Sequence, residues 1–200
     1  MKEHNTQVYD RNAQAMAQKF GGIGARIADI EKLFSLLDTE DDPLVVEIGC
    51  GNGRDGAEIA ARTKRYIGID ISEGMIAQAK KRAPEVDFRV ADMDTFDFPI
   101  NVDAFVSFAS MLHSPKEDVQ KLLQKVHGAL TEKGIFYISR KKGSYEEGGT
   151  ERTDEFGTRT YWFYTPELIK ELAGDLYETV FFEEQTLRGQ DWFTIALHKK

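Results

Sequence analysis

Apolar positions near the start of the chain recur at three- and four-residue spacing. Met16 and Phe20 mark one stretch, and Ile23, Ile27, Ile30, Phe34 and Leu37 mark the next. That period predicts helix from Tyr9 to Leu37, interrupted by Gly21 and Gly22. The polar cluster from Asp38 through Glu40 to Pro43 ends it. Leu44-Val45-Val46-Glu47-Ile48 then forms a short, nearly continuous apolar run, the pattern of a strand covered on both faces.

From there the two rhythms trade places. Helix is predicted from about Asp55 to Arg62, strand from Tyr66 to Asp70, and then a helix that Ser72 can cap before Met75, Ile76 and Ala79. Val86 to Val90 and Val102 to Phe108 read as two more strands. Ser114-Pro115-Lys116-Glu117 reads as an N-cap, a proline at N1 and a capping-box glutamate. The helix it opens carries Val119, Leu122, Leu123, Val126 and Leu130 on one face, and Ile135 to Ser139 follows as the fifth strand.

Lys141 to Gly157, rich in Gly, Glu, Thr and Lys, has no sustained period and reads as an exposed loop or insertion. Tyr161 to Tyr164 returns to strand composition, Thr165-Pro166-Glu167 starts a last helix, and strands Tyr177 to Glu183 and Trp192 to His198 close the chain. With no crossover helix between them, these two form an antiparallel pair at one sheet edge. The expected fold is α/β: a doubly wound, Rossmann-like sheet of seven mostly parallel strands with one antiparallel edge strand and helices on both faces. It is read as one domain, with a helical cap at 1–40, a cofactor-binding core at 44–139, an insertion or substrate-side segment at 141–164, and a closing helix and strand pair at 165–200.

Composition narrows the function. Two hundred residues, 41% hydrophobic and 30% charged, suit one ordinary domain. A net charge of −8 argues against a surface that tracks phosphates and favours a small-molecule partner over nucleic acid. No apolar run approaches the roughly 20 residues of a membrane span. Cys50 is the single cysteine and Met1 to Asn5 opens no apolar leader, so the cytoplasm is the expected compartment. His4, His113, His127 and His198 form no ligand-spaced set, and no metal site is expected.

The turn after the first strand, Glu47-Ile48-Gly49-Cys50-Gly51-Asn52-Gly53, carries the candidate chemistry. Glycines there let backbone approach a nucleotide. A dinucleotide fingerprint, G-x-G-x-x-G, would put its third glycine at position 54, which is Arg54; the glycine falls one residue early. With Glu47 two residues before Gly49, the run resembles the E/D-x-G-x-G-x-G motif of class I S-adenosylmethionine-dependent methyltransferases. Gly68-Ile69-Asp70-Ile71-Ser72 and Ala91-Asp92-Met93 resemble that family's second- and third-strand motifs.

The resemblance implies S-adenosylmethionine as cofactor and a role for each matching residue. Asp70 would accept bonds from two ribose hydroxyls; its other reading is a helix cap, a task for which Ser72 is better placed. Asp92 would take the adenine amino group and the Met93 backbone a ring nitrogen, or Asp92 is a turn aspartate. Ile71 and Met75 could wall the adenine, although a methionine at helical spacing also serves as core. Glu47, buried by its strand, needs donors from the loop backbone or the cofactor ammonium. Tyr9 resembles the N-terminal tyrosine that lies over the cofactor in several small-molecule branches, or is an ordinary amphipathic-helix tyrosine. Gly49, Cys50 and Gly51 would contact the cofactor, and Phe108 would border it at the end of the fourth strand.

For the acceptor, Arg140 and Tyr145 are candidate contacts, Arg140-Lys141-Lys142 suiting a carboxylate or phosphate, with a solvated cluster beside Glu146 and Glu147 as the other reading. His113 is the candidate base, or a polar residue before a helix cap. Ser107-Phe108-Ala109-Ser110 stands where amino-methylating nucleic-acid branches carry an Asn/Asp-Pro-Pro-Tyr motif. The expected function is methyl transfer to an unidentified small molecule. An NAD-dependent oxidoreductase and a non-catalytic cofactor-binding module are the alternatives. Neither acceptor identity nor oligomeric state is legible.

Overall fold

A computed structural model describes residues 1–39 and 41–200; Glu40, within the expected helix-breaking cluster, lies outside the described residues. Helices α1 (Lys2–Gly21) and α2 (Ile27–Leu36) lead into β1 (Val45–Ile48), α3 (Arg54–Ala60), β2 (Tyr66–Asp70), α4 (Glu73–Arg82), β3 (Phe88–Val90) and β4 (Val102–Phe108). After a one-turn 3-10 helix at Met111–His113 come α5 (Lys116–Ala129), β5 (Leu130–Lys141), β6 (Thr150–Asp154), β7 (Gly157–Tyr161), α6 (Pro166–Ala173), β8 (Tyr177–Leu187) and β9 (Gln190–Lys199).

The main sheet has the order β3-β2-β1-β4-β5-β9-β8. β1 through β5 pair in parallel, whereas β9 runs antiparallel to both β5 and β8. The expected seven-stranded, mostly parallel sheet is therefore present, and the antiparallel strand sits one place in from the edge. On one face α5 and α6 pack Val119, Leu122, Val126 and Ile169 against Phe105, Phe136 and Ile138. On the other, α2, α3 and α4 pack Ile30, Leu33, Ile59 and Ile76 against Val45, Ala104 and Tyr137. Each of these side chains is almost entirely removed from water. At roughly 1.5–3 kcal/mol per large apolar side chain, the two faces supply most of the driving force for folding.

Several expectations shift. Lys141 to Gly157 is not a plain loop: Thr150–Asp154 pairs with Gly157–Tyr161 as a hairpin, apart from the main sheet. Its strands show too little apolar alternation to betray it, because β6 is exposed along its length. Of Tyr161 to Tyr164 only Tyr161 belongs to a strand; Trp162 N–H bonds the Leu112 carbonyl at 2.8 Å instead. Ser114 does not cap α5. Pro115 holds the N-cap position with ψ 165°, and its carbonyl accepts from the Asp118 and Val119 amides. The Ser114 carbonyl is engaged by the Tyr164 hydroxyl at 2.8 Å. Leu130 leaves α5 to begin β5, with a register break before Ile135. Ser72 caps α4 as expected, accepting from Met75 N–H at 3.1 Å.

Helix α1 starts earlier than its apolar spacing predicts and lies across the carboxyl end of the sheet. Gly74 permits this. A Cβ there would meet Ala13 Cβ at 2.8 Å and the Asp10 carbonyl at 3.0 Å. Asp10 then accepts from Ser72 Oγ at 2.6 Å and Gly74 N at 3.0 Å, which fixes α1 to the start of α4. On its other side Asn5 pairs with the backbone of Thr160, donating at 2.9 Å and accepting at 3.0 Å, which fixes α1 to β7.

Candidate functional site

Under α1, along the carboxyl ends of β1, β2, β4 and β5, runs a cavity of about 1110 Å³. This is the crevice where open α/β sheets take ligands. Its floor is the turn after β1. Gly49, Gly51 and Gly53 have φ of 75°, 54° and 68°, the left-handed region that glycine enters without a side-chain penalty. At Gly49 there is no room for anything else, since a Cβ would sit 2.0 Å from Ser110 Cβ. Ser110 in turn donates to the Ile48 carbonyl at 2.6 Å and so ties the turn after β4 to β1.

The turn also orients the acid at the end of β2. Gly51 N–H donates to Asp70 Oδ2 and Ser72 N–H to Oδ1, both at 2.9 Å. Each oxygen keeps a lone pair for a further donor, the geometry a vicinal diol needs. Burial pushes the Asp70 carboxyl upward, opposed by those two amides.

Glu47 is 1% exposed, and its donor is the Tyr66 hydroxyl at 2.5 Å rather than the loop backbone. Tyr66 reaches it through a notch. A Cβ at Gly68 or Gly56 would lie 2.5 or 2.2 Å from the Tyr66 oxygen. Burial first, then the Asp55 carboxylate, raises the Glu47 pKa to about 8. The Cys50 thiol is likewise pushed up by burial and by the nearby carboxylates of Glu47 and Asp70.

Beyond β3, Asp92 and Met93 border the same cavity, as do Ile71 and Met75. Ile71 is exposed at its rim and Met75 is buried against α1. Asp92 shares Lys2 with Asp94, each pair at 2.5 Å, and accepts from Asp94 N–H at 3.0 Å. Phe108 lines the cavity beyond the glycine turn, edge-on to Tyr137 and beneath Arg26.

At the far end sit Tyr9 and His113. His113 Nε2 accepts from the Tyr9 hydroxyl at 2.9 Å, and Nδ1–H donates to the Thr160 carbonyl at 2.8 Å. Both ring nitrogens are occupied, as a neutral imidazole allows. Burial lowers its pKa to about 4, with the charges of Arg159, Lys141 and Arg140 adding to the effect. Burial raises the Tyr9 hydroxyl, so it stays a neutral phenol.

Two expected acceptor contacts lie elsewhere. Arg140 is 1% exposed and points to the opposite face of β5, where its guanidinium stacks 3.8 Å from the Tyr164 ring centre and donates to the Met111 and Trp162 carbonyls. The cause is strand alternation, which sends Arg140 into the core and its neighbour Lys141 into the cavity. Tyr145 packs edge-on to Tyr164, and its hydroxyl accepts from Lys116 N–H at 3.2 Å, again outside the cavity. Tyr66, Ser110 and Arg159 belong to the site and are not among its expected residues; Lys141, expected within Arg140-Lys141-Lys142 as an anion contact, does face the cavity. Nothing local marks Tyr66, because its notch is left by glycines on two different elements, whereas period-two alternation separates Lys141 from Arg140.

The parallel strands and the crevice at their carboxyl ends define a doubly wound α/β protein with a ligand site at the switch point. The antiparallel β9–β8 pair departs from the all-parallel dinucleotide arrangement. A family model described as "Methyltransferase domain" matches residues 45–134. A probable S-adenosylmethionine-dependent methyltransferase of Mycolicibacterium smegmatis is 30% identical over 146 residues, covering 72% of this chain and 54% of that protein. A trans-aconitate 2-methyltransferase of Variovorax paradoxus is 27% identical over 115 residues, covering 56% and 44%. The chain thus spans about half the length of these curated relatives. The solved DhpI–SAH complex superposes with a TM-score of 0.75 at 17% identity over 98% of this chain and 96% of that one, a likeness of fold. Residues 45–134 thus match a methyltransferase domain, and the relatives support a class I S-adenosylmethionine-dependent methyltransferase.

The residues fit that family's cofactor. Asp70 presents paired acceptors to the cavity, and the carboxyls of Glu47, Asp70 and Asp92 suit a ligand that carries a sulfonium and an ammonium. Among the described residues no helix is long and apolar enough to cross a membrane.

Proposed function

We propose that this chain transfers the methyl group of S-adenosylmethionine to a small-molecule acceptor. The observation that carries the reading is the Asp70 carboxylate, held by the Gly51 and Ser72 amides at the edge of a cavity that continues past Phe108 to Tyr9 and His113. The name of the trans-aconitate 2-methyltransferase relative agrees with an acceptor of this size class. A net charge of −8 and a single cysteine support a reading without nucleic acid and in the cytoplasm.

Bound there, the cofactor supplies a methyl carbon already activated by its positive sulfur. The chain's own residues hold and orient. Asp70 takes the ribose hydroxyls, Asp92 and the Met93 backbone take the adenine edge, and Ile71 and Met75 cover its faces. Glu47, on giving up the proton its burial retains, answers the ammonium, and the glycine turn admits the amino-acid end. Tyr9, anchored on α1, lies over the reacting end and, with Phe108, keeps water out.

His113 serves here as a positioning residue rather than a base. Its Nε2 lone pair already receives the Tyr9 proton, and a pKa of about 4 leaves it little affinity for a second one. The acceptor must then arrive as a nucleophile without a proton to lose, or lose it to water before it is enclosed.

The test is S-adenosylhomocysteine formation, followed by mass spectrometry with methyl-labelled cofactor and a library of small acids, phenols and amines. Acceptor-dependent formation, lost on Asp70→Ala, is expected. A protein that binds the cofactor and turns over with no acceptor would be a sensor or scaffold, and the proposal would fall.

A further inference from the structure

The acceptor end of the cavity holds two cations that the cofactor reading leaves unused. Lys141 enters from β5 and Arg159 from β7, beside Tyr9, Leu112 and Tyr161. Arg159 is 3% exposed. Its Nη2 is bonded to Asp154, its guanidinium lies 5.2 Å from the Tyr9 ring centre and 5.6 Å from that of Tyr161, and its Nε, buried, has no partner among the described residues. Among the described residues the Lys141 ammonium forms neither hydrogen bond nor ion pair, and its charged neighbours are Arg152, Arg159 and Asp154. Burial, reinforced by those two arginines, holds it below the ordinary lysine range.

A buried donor without an acceptor is costly, and an unpaired buried cation more so. An anion seated by Lys141 and Arg159 would compensate their buried positive charge. We propose that this pair is the anchor for a carboxylate on the methyl acceptor. Lys141, Arg152 and Arg159 against Asp154 leave positive charge in excess at this end, which an anion would balance. Arginine's fork and lysine's point charge together suit a planar carboxylate approached from two sides. The surrounding rings of Tyr9, Tyr161 and Phe108 favour an unsaturated or aromatic body behind it.

The inference deepens the methyltransferase reading and depends on it. A carboxylate is also present on the cofactor's amino-acid end, so the experiment must separate the two sources. The protein is saturated with S-adenosylhomocysteine and titrated calorimetrically with a panel of aliphatic and aromatic carboxylic acids, each paired with its neutral amide. Wild type should bind at least one acid about tenfold or more tighter than its amide (~1.4 kcal/mol). Lys141→Gln should abolish that preference while leaving S-adenosylhomocysteine affinity within about twofold. Arg159→Gln should do the same, and Lys141→Gln keeps the test open if loss of the stacked guanidinium unfolds the hairpin. Acids and amides binding alike across the panel, or a preference that survives Lys141→Gln, overturns the proposal. So does a loss of S-adenosylhomocysteine affinity of about tenfold in Lys141→Gln, which would assign the cations to the cofactor's own carboxylate. If wild type fails to bind S-adenosylhomocysteine at all, the methyltransferase reading fails first.

Discussion

The two ends of the cavity are built in different ways. The cofactor end comes from consecutive strand ends: residues 47–53 leading from β1 into α3, 70–72 from β2 into α4, and 91–93 in the loop after β3, with Asp70 held by amides from the first two. The acceptor end comes from positions 9, 113, 141 and 159, brought together by a helix laid over the sheet and a hairpin inserted after β5. The first is a set of short-range constraints that any chain with this turn chemistry must satisfy. The second depends on how α1 docks, and little in its local sequence records it.

The largest expected effect sits at the cofactor end. Gly49→Ala must hold φ near 75° and place its Cβ 2.0 Å from Ser110 Cβ. It should lose on the order of 3 kcal/mol in urea unfolding, with cofactor binding abolished, from strain and overpacking combined. Adding Ser110→Gly removes the clash and leaves the strain, so about half the loss should return. A Gly49→Ala protein with wild-type stability would erase the contrast between a rigid end and an adaptable one.

This contrast also sorts what was legible. The strand and helix alternation from Val45 to Ser139, the Ser72 cap and the glycine turn follow from local pattern, because buried parallel strands and nucleotide turns impose strict local chemistry. The hairpin at 150–161 was hidden because β6 faces water along its length, so no apolar alternation marks it. Arg140 reads in the sequence as an acceptor contact at the head of a basic triplet, with a solvated cluster as the other reading. Only the register of β5 shows it stacked under Tyr164 while Lys141 faces the cavity. The Glu47–Tyr66 bond was likewise out of reach, since it depends on a notch left by Gly56 and Gly68, one on a helix and one on the strand.

A moderate effect is expected at Tyr66→Phe, which removes the donor to Glu47 and should cost about 1–3 kcal/mol. Because burial raises the Glu47 pKa to about 8, the folded state holds this proton more tightly than the unfolded chain. Its stabilising contribution is fully present below the ordinary value of 4.5 and is lost as pH rises through about 8. The Tyr66→Phe penalty should therefore be larger at pH 9 than at pH 6, since only the ionised carboxylate depends on that donor. Equal penalties at the two pH values would mean that Glu47 is already ionised at pH 6.

The smallest effect is expected at Lys2→Met. Lys2 spans Asp92 and Asp94 at a side-chain exposure of 42%, so its loss should change stability by less than about 1 kcal/mol. Freeing Asp92 for the adenine should raise cofactor affinity by roughly two- to fivefold. A fall in affinity would instead make Lys2 a part of the cofactor site.

The central claim concerns the cofactor, and calorimetric titration with S-adenosylhomocysteine, the unreactive product, tests it most directly. Wild type should bind with an affinity on the order of micromolar and show no heat with NAD, and Asp70→Ala should weaken S-adenosylhomocysteine binding by about 100-fold or more. Undiminished binding by Asp70→Ala, or NAD preferred over S-adenosylhomocysteine, would contradict the account.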